Sequence, residues 1–228
     1  MNTKWKTWAH VTKLDPDRHL SEEDIAGIAT SGTDALILSG TLNITQENMS
    51  QLRDQVKEYG LPLVVEPAGP ESVVFNEIDL LYVASVMNTS DAGWIVGKHK
   101  QWAMRPGINW DRVIPEAYIV LNPDSSVAKV TGADCGLSYK DTVAYASIAD
   151  HYFRFPIVYL EYSGTYGDPE LVKEVCKVID NAVLYYGGGI DSGEKAYEMA
   201  RYADTIVVGN AVYEKGVSAL IETVQAIQ

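Results

Sequence analysis

The sequence is poor in cysteine, in basic charge and in long apolar runs. Its two cysteines, Cys135 and Cys176, have no metal-type spacing, so reduced thiols are expected rather than a bridge or a zinc site. The four histidines (His10, His19, His99, His151) are scattered and match no ligand motif. Eighteen Lys and Arg stand against 31 Asp and Glu, a net charge of −13. That excludes nucleic acid as a partner, because binding a phosphate backbone requires clustered Lys and Arg. No stretch approaches the roughly 18 apolar residues of a transmembrane segment. The opening Met1-Asn2-Thr3-Lys4-Trp5 has no apolar h-region, so a cytoplasmic protein without a signal peptide is expected.

What is present is an ordinary globular composition, 46% apolar over 228 residues, enough to bury a core without disulfides. A single domain spanning 1–228 is expected. Short β-branched runs start near His10, Asp34, Leu61, Asp79, Ala117, Phe155, Ala182 and Thr205, each followed by a helix-like segment. Eight parallel βα units close a (β/α)8 TIM barrel. The other arrangement of such units, an open doubly wound sheet, carries its glycine-rich turn first, whereas here the glycines come last.

Helix starts are legible. Asp168-Pro169 sets an N-cap acceptor before a proline, Asp191 with Glu194 resembles a capping box, and Ser21, Thr45 and Ser138 are further N-caps. One unit departs from the pattern. Between the third and fourth strands lie only residues 67–78, with Pro67, Gly69 and Pro70 among them. That is too short and too broken for a crossover helix, so the third helix is expected to be missing or replaced by an irregular segment, opening a groove in the barrel side.

In such barrels chemistry sits at the C-terminal strand ends. Those ends are polar here, whereas the strand bodies are dry (Ala35-Leu36-Ile37-Leu38, Ile206-Val207-Val208). The turns Tyr186-Gly187-Gly188-Gly189-Ile190 and Val208-Gly209-Asn210 are built to aim backbone N–H groups at a phosphate. Glu161, between Tyr159 and Tyr162, is a candidate general base for a substrate hydroxyl, or a carboxylate salt-bridged inside the barrel. Across the mouth, Asp15 and Thr41 offer hard oxygen ligands for Mg²⁺, and Lys13 offers a point charge to an anion. Asp15-Pro16-Asp17 could equally be only a turn.

These residues fall in blocks that resemble the geranylgeranylglyceryl phosphate synthase / heptaprenylglyceryl phosphate synthase family over nearly the whole chain. The matching blocks are His10-Val11-Thr12-Lys13-Leu14-Asp15-Pro16-Asp17, Ser31-Gly32-Thr33-Asp34-Ala35, Tyr118 to Asp124, Tyr159 to Tyr166, Tyr185 to Asp191 and Val207 to Asn210. The resemblance implies a modified barrel lacking its third helix. It also implies Mg²⁺-dependent transfer of a prenyl group from geranylgeranyl diphosphate to the C3 hydroxyl of sn-glycerol 1-phosphate, the first committed step of archaeal ether-lipid synthesis. By motif, glycerol phosphate would meet Lys13, Tyr159, Leu160, Glu161, Tyr162, Ser163, Gly164, Gly189, Gly209 and Asn210. Asp15 and Thr41 would hold the metal, and a homodimer is implied. Trp102 falls where archaeal members carry a bulky aromatic, which favours a twenty-carbon donor over a heptaprenyl one. No DDxxD run is present, unlike the helical enzymes that elongate prenyl chains.

The rival readings are a phosphate-binding barrel isomerase or aldolase, which has no use for Asp15 and Thr41, and a non-catalytic binder of a phosphorylated ligand.

Overall fold

Runs of Val, Ile and Leu buried on both faces make strands that need partners on each side. A computed structural model describes residues 3–228; Met1 and Asn2, part of the N-terminal reading above, lie outside them. The strands are β1 (His10–Leu14), β2 (Ala35–Leu38), β3 (Leu63–Val65), β4 (Leu80–Val86), β5 (Val113–Val120), β6 (Ile157–Glu161), β7 (Val183–Gly187) and β8 (Thr205–Val208). All pair in parallel, and β8 returns to β1 to close the barrel. Strand five begins at Val113, four residues ahead of its expected start at Ala117. Pro115 and Glu116 look like strand breakers, yet they lie in register with Val83 and Ala84 of β4.

Side-chain alternation divides the apolar residues into two layers. Val11, Ile37, Val64, Tyr82, Ile157, Tyr185 and Val207 fill the lumen. Leu36, Leu38, Val65, Val158, Leu160 and Val208 face the helices. Trp5, from the turn Lys4–Thr7, packs edge-on against Tyr82 at 6.3 Å, and the Tyr82 and Tyr185 hydroxyls lie 3.2 Å apart. The lower lumen is thereby a packed core, which leaves only the upper end for ligands.

The outer ring comprises α1 (Glu22–Ala29), α2 (Gln46–Val56), α3 (Lys98–Ala103), α4 (Ser126–Thr131), α5 (Tyr139–Ser147), α6 (Pro169–Cys176), α7 (Gly193–Ala200), α8 (Asn210–Lys215) and α9 (Val217–Gln225). Ser21, Thr45 and Ser138 cap α1, α2 and α5 as expected, and Asp168 caps α6 ahead of Pro169. The cap of α7 is Ser192, not Asp191: Ser192 accepts the Lys195 N–H, and the Asp191 carboxylate instead meets the ammonium groups of Lys195 and Lys215. No helix among the described residues is long and apolar enough to cross a membrane.

Between β3 and β4 the chain makes only a 3-10 turn, Pro70–Ser72, so the third crossover helix is missing. Arg105 donates to the Pro70 and Val73 carbonyls and ties this segment to the chain after α3.

One buried histidine makes stability depend on pH. The His10 ring nitrogens lie 3.0 and 3.1 Å from the hydroxyls of Thr33 and Thr223, joining β1 to the β2 approach and α9. Burial lowers its pKa from 6.5 to about 4. The unfolded chain therefore takes up a proton that the folded chain resists. The neutral ring's contribution is present above pH 6.5, is lost as pH falls through the unfolded value, and is gone by about 4. Its full size is about 3 kcal/mol. Urea unfolding at pH 7 and pH 4.5 should show His10→Gln losing about 2 kcal/mol less on acidification than the wild type; equal losses would discard this account.

Candidate active site

The strand tips open on a cavity of about 1130 Å³. Its lining includes Lys13, Asp15, Thr41, Tyr159, Glu161, Ser163, Gly164, Gly189, Gly209 and Asn210, so ten of the expected site residues share one mouth. Two do not line it. Leu160 points into the helix-facing layer, as its even position in β6 requires, and the Tyr162 ring lies 5.9 Å from that of Tyr186 beneath the turn.

Glu161 ends β6 facing inward and is almost wholly buried. Its Oε1 accepts the Ser163 N–H at 2.6 Å. Burial pushes its pKa above the ordinary carboxylate range, while Lys13 and the Ser163 contacts hold it back. A carboxyl shifted in that direction is better matched to taking a proton near neutral pH than an exposed one.

Lys13 enters from β1, where an unpaired ammonium would be costly. Its Nζ donates to Glu66 Oε1 and Oε2 at 3.0 and 3.2 Å and to the Tyr118 hydroxyl at 3.0 Å. It also lies 4.9 Å above the Tyr159 ring, which is stacked on Tyr118 at 4.4 Å. Burial lowers the Lys13 pKa, but Glu66 and the other acidic groups outweigh it, so the ammonium stays charged. Lys13 is thus a neutralised cation, not a bare point charge. Glu66 also accepts the Ser39 hydroxyl at 2.8 Å. Below this layer the Glu116 carboxyl is fully buried, neither of its oxygens has a hydrogen-bond partner, and burial keeps it well above its usual pKa.

The sequence places Glu66 among the polar strand ends and Tyr118 in a matching block without giving either a role, and it does not single out Glu116. With the fifth strand started at Val113, alternation would have placed Glu116 and Tyr118 on the lumen face.

The two late turns meet the mouth from β7 and β8. Gly189 adopts φ +60°, and a Cβ there would lie 2.3 Å from the Tyr166 backbone nitrogen. The β7 turn is therefore pressed directly onto the loop that carries Ser163 and Gly164. Gly209 caps α8, which places Asn210 in its first turn.

Asp15 and Thr41 lie on neighbouring loops. Asp15 Oδ1 accepts the Asp17 N–H at 2.9 Å, and burial raises its pKa. Gly40 leaves room for it, since a Cβ there would come within 2.5 Å of Asp15 Oδ1. A partly desolvated carboxylate, with the Thr41 residue lining the same mouth, offers hard oxygen of the kind a divalent cation takes. At the opposite end of the strands, ligand atoms of Asp150, His151 and Asp180 cluster within 4.8 Å. The Asp150 carboxylate there is occupied by the backbone N–H groups of Asp180, Asn181 and Ala182.

Beside the gap left by the missing helix, a smaller cleft joins the mouth through Pro67, Ala68, Ala84, Trp94 and Lys98. Its volume is only about 30 Å³, room for a single water. Buried Trp102 floors it, packed at 6.4 Å from Phe75 and 5.5 Å from Trp110.

A closed barrel with its polar groups at the C-terminal strand ends defines the class, a (β/α)8-barrel enzyme. The description "PcrB family" matches residues 3–228, and the chain belongs to that family. It is similar to the geranylgeranylglyceryl phosphate synthase of Methanospirillum hungatei JF-1, 79% identical over 228 residues and covering 100% of both chains. The protein of that name from Halobacterium salinarum is 45% identical and covers 100% of this chain and 98% of its own. Among solved structures, (S)-3-O-geranylgeranylglyceryl phosphate synthase from Thermoplasma acidophilum, in complex with sn-glycerol-1-phosphate, aligns with a TM-score of 0.85 at 27% identity, over 96% of this chain and 93% of that one. Thiamine phosphate pyrophosphorylase from Pyrococcus furiosus, at 12% identity and TM-score 0.64, shares the fold.

Proposed function

We propose that this chain, a single barrel unit, is a prenyltransferase that joins the C3 hydroxyl of sn-glycerol 1-phosphate to geranylgeranyl diphosphate in ether-lipid synthesis. The observation that carries the reading is the shared mouth: buried Glu161, the two glycine turns and the Asp15 and Thr41 oxygens all line one cavity. One end suits the acceptor phosphate and the other the donor diphosphate.

Glycerol phosphate is held by the backbone N–H groups around Gly189, Gly209 and Asn210, with Tyr159, Ser163, Gly164 and Lys13 around the glycerol. Glu161 takes the proton from the C3 hydroxyl as that oxygen attacks the allylic carbon. The new C–O bond forms as the carbon–diphosphate bond breaks, and the electron pair leaves with the diphosphate. Asp15 and Thr41 would hold Mg²⁺, which when bound neutralises charge on the departing diphosphate. Orientation supplies much of the acceleration, because two substrates are converted to one bound pair.

The prenyl tail runs from the mouth toward the Pro67–Trp94 cleft, with Trp102 as its floor. Trp102→Ala and the milder Trp102→Leu should admit donors longer than twenty carbons. Competition between geranylgeranyl and longer diphosphates, read by product mass, checks this; an unchanged preference in both variants would discard the role. A cytoplasmic homodimer is the accompanying proposal, supported by Ile148, Tyr152 and Phe153 standing exposed together after α5.

The reaction is tested by incubation with sn-glycerol 1-phosphate, Mg²⁺ and prenyl diphosphates of several lengths. A geranylgeranyl ether is expected, and the absence of any prenyl ether would overturn the proposal.

A further inference from the structure

The mouth holds four basic side chains, Lys13, Arg18, Lys98 and Lys195, and they differ in what neutralises them. Lys13 is bound to Glu66 and Lys195 to Asp191. Lys98 lies 3.8 Å over the Trp94 ring, on the side of the prenyl cleft. Arg18 is alone among them in standing on the loop that carries Asp15, and it makes no ion pair with a carboxylate among the described residues.

Arg18 is nevertheless held in place. Its guanidinium stacks 3.8 Å from the centre of the Tyr213 ring on α8, and Nη1 donates to the Asn210 side-chain oxygen at 3.1 Å. Its backbone N–H donates to the Asp15 carbonyl at 3.0 Å. Tyr213 completes the link by accepting the Asp15 N–H at 2.8 Å. The Asp15 loop and the β8 turn are thus clasped together by Arg18 and Tyr213. A guanidinium carries five donors, and these contacts use one, so a planar, pre-oriented cation is left with donors to spare.

Charge decides what those donors serve. The acceptor phosphate has backbone N–H groups from two turns. A diphosphate carries more negative charge than one divalent cation cancels, and Asp15 and Asp17 add more of the same sign. We propose that Arg18 is a substrate-binding residue for the donor, its guanidinium engaging the diphosphate beside the Asp15–Thr41 site. The proposal rests on the prenyl-transfer reading. Stacking and the Asn210 bond fix the fork before the substrate arrives, so little side-chain freedom is lost on binding.

The test uses Arg18→Gln and Arg18→Lys in two measurements. In steady-state kinetics, Arg18→Gln should raise the KM for geranylgeranyl diphosphate about tenfold or more, and the KM for glycerol phosphate by less than about twofold. Arg18→Lys should fall between, because it keeps the charge without the fork. By calorimetry, inorganic pyrophosphate with Mg²⁺ should bind Arg18→Gln about tenfold more weakly than the wild type. Unchanged donor KM and pyrophosphate affinity would overturn the assignment. So would a rise in the glycerol phosphate KM alone, which would reduce Arg18 to a prop for Asn210. If the wild type forms no prenyl ether, the prenyl-transfer reading fails, while the pyrophosphate titration still decides whether Arg18 binds a diphosphate.

Discussion

Glu161→Gln is expected to lower kcat by about 10²–10⁴-fold while changing the KM for glycerol phosphate little. The amide keeps the size of the carboxyl, and its oxygen can still accept the Ser163 N–H, so the β6 tip should keep its shape. What disappears is the ability to take a proton from the acceptor hydroxyl. The pH profile separates this from a packing effect. A general base must be ionised, so wild-type kcat should rise with pH through the Glu161 pKa, at a value displaced above the ordinary carboxylate range by burial. That limb should be absent from the variant, whose residual rate comes from orientation of the bound pair. A variant within about threefold of wild type, or one that keeps the same acid limb, would move the base to another group.

The parts of this site differ in how far the sequence discloses them, and chain separation explains the difference. Signals confined to a few residues were readable: the helix starts at Ser21, Thr45 and Ser138, the glycine turns, and the missing helix between Glu66 and Leu80. Each is set by local backbone chemistry. The ion pair that neutralises Lys13 joins residues 53 apart, and the Arg18–Asn210 contact spans 192. Nothing local announces either; they exist because closure of the barrel brings strand tips round to one another. The α7 cap was misassigned for a related reason. Asp191 and Ser192 are both able caps, and the choice went to serine because Lys195 and the distant Lys215 engage the Asp191 carboxylate. Leu160 and Tyr162 were grouped with their neighbours as a motif, whereas strand alternation turns Leu160 to the helix-facing layer and the Tyr162 ring packs with Tyr186, so neither lines the cavity.

Gly189→Ala should weaken glycerol phosphate binding by about 100-fold or more, the equivalent of losing about 3 kcal/mol of charge-assisted N–H contacts. Two costs combine. At φ +60° an L-residue pays roughly 1–2 kcal/mol for the left-handed conformation. The larger cost is steric: the new Cβ would lie 2.3 Å from the Tyr166 nitrogen and 2.5 Å from the Thr165 carbonyl carbon. Both are backbone atoms, which cannot rotate aside, so the β7 turn and the β6 loop must separate. That movement takes the turn's N–H groups away from Ser163, Gly164 and Glu161, and the two halves of the acceptor site lose their common target. Gly60→Ala is the matched control. Gly60 sits at φ +73°, but its Cβ would meet nothing within 4 Å, so it carries the conformational cost without the collision. It should lower stability by about 1 kcal/mol and leave the KM for glycerol phosphate unchanged. If Gly189→Ala bound glycerol phosphate as well as Gly60→Ala does, the β7 turn would not be the phosphate cradle, and the acceptor would have to be placed elsewhere in the mouth.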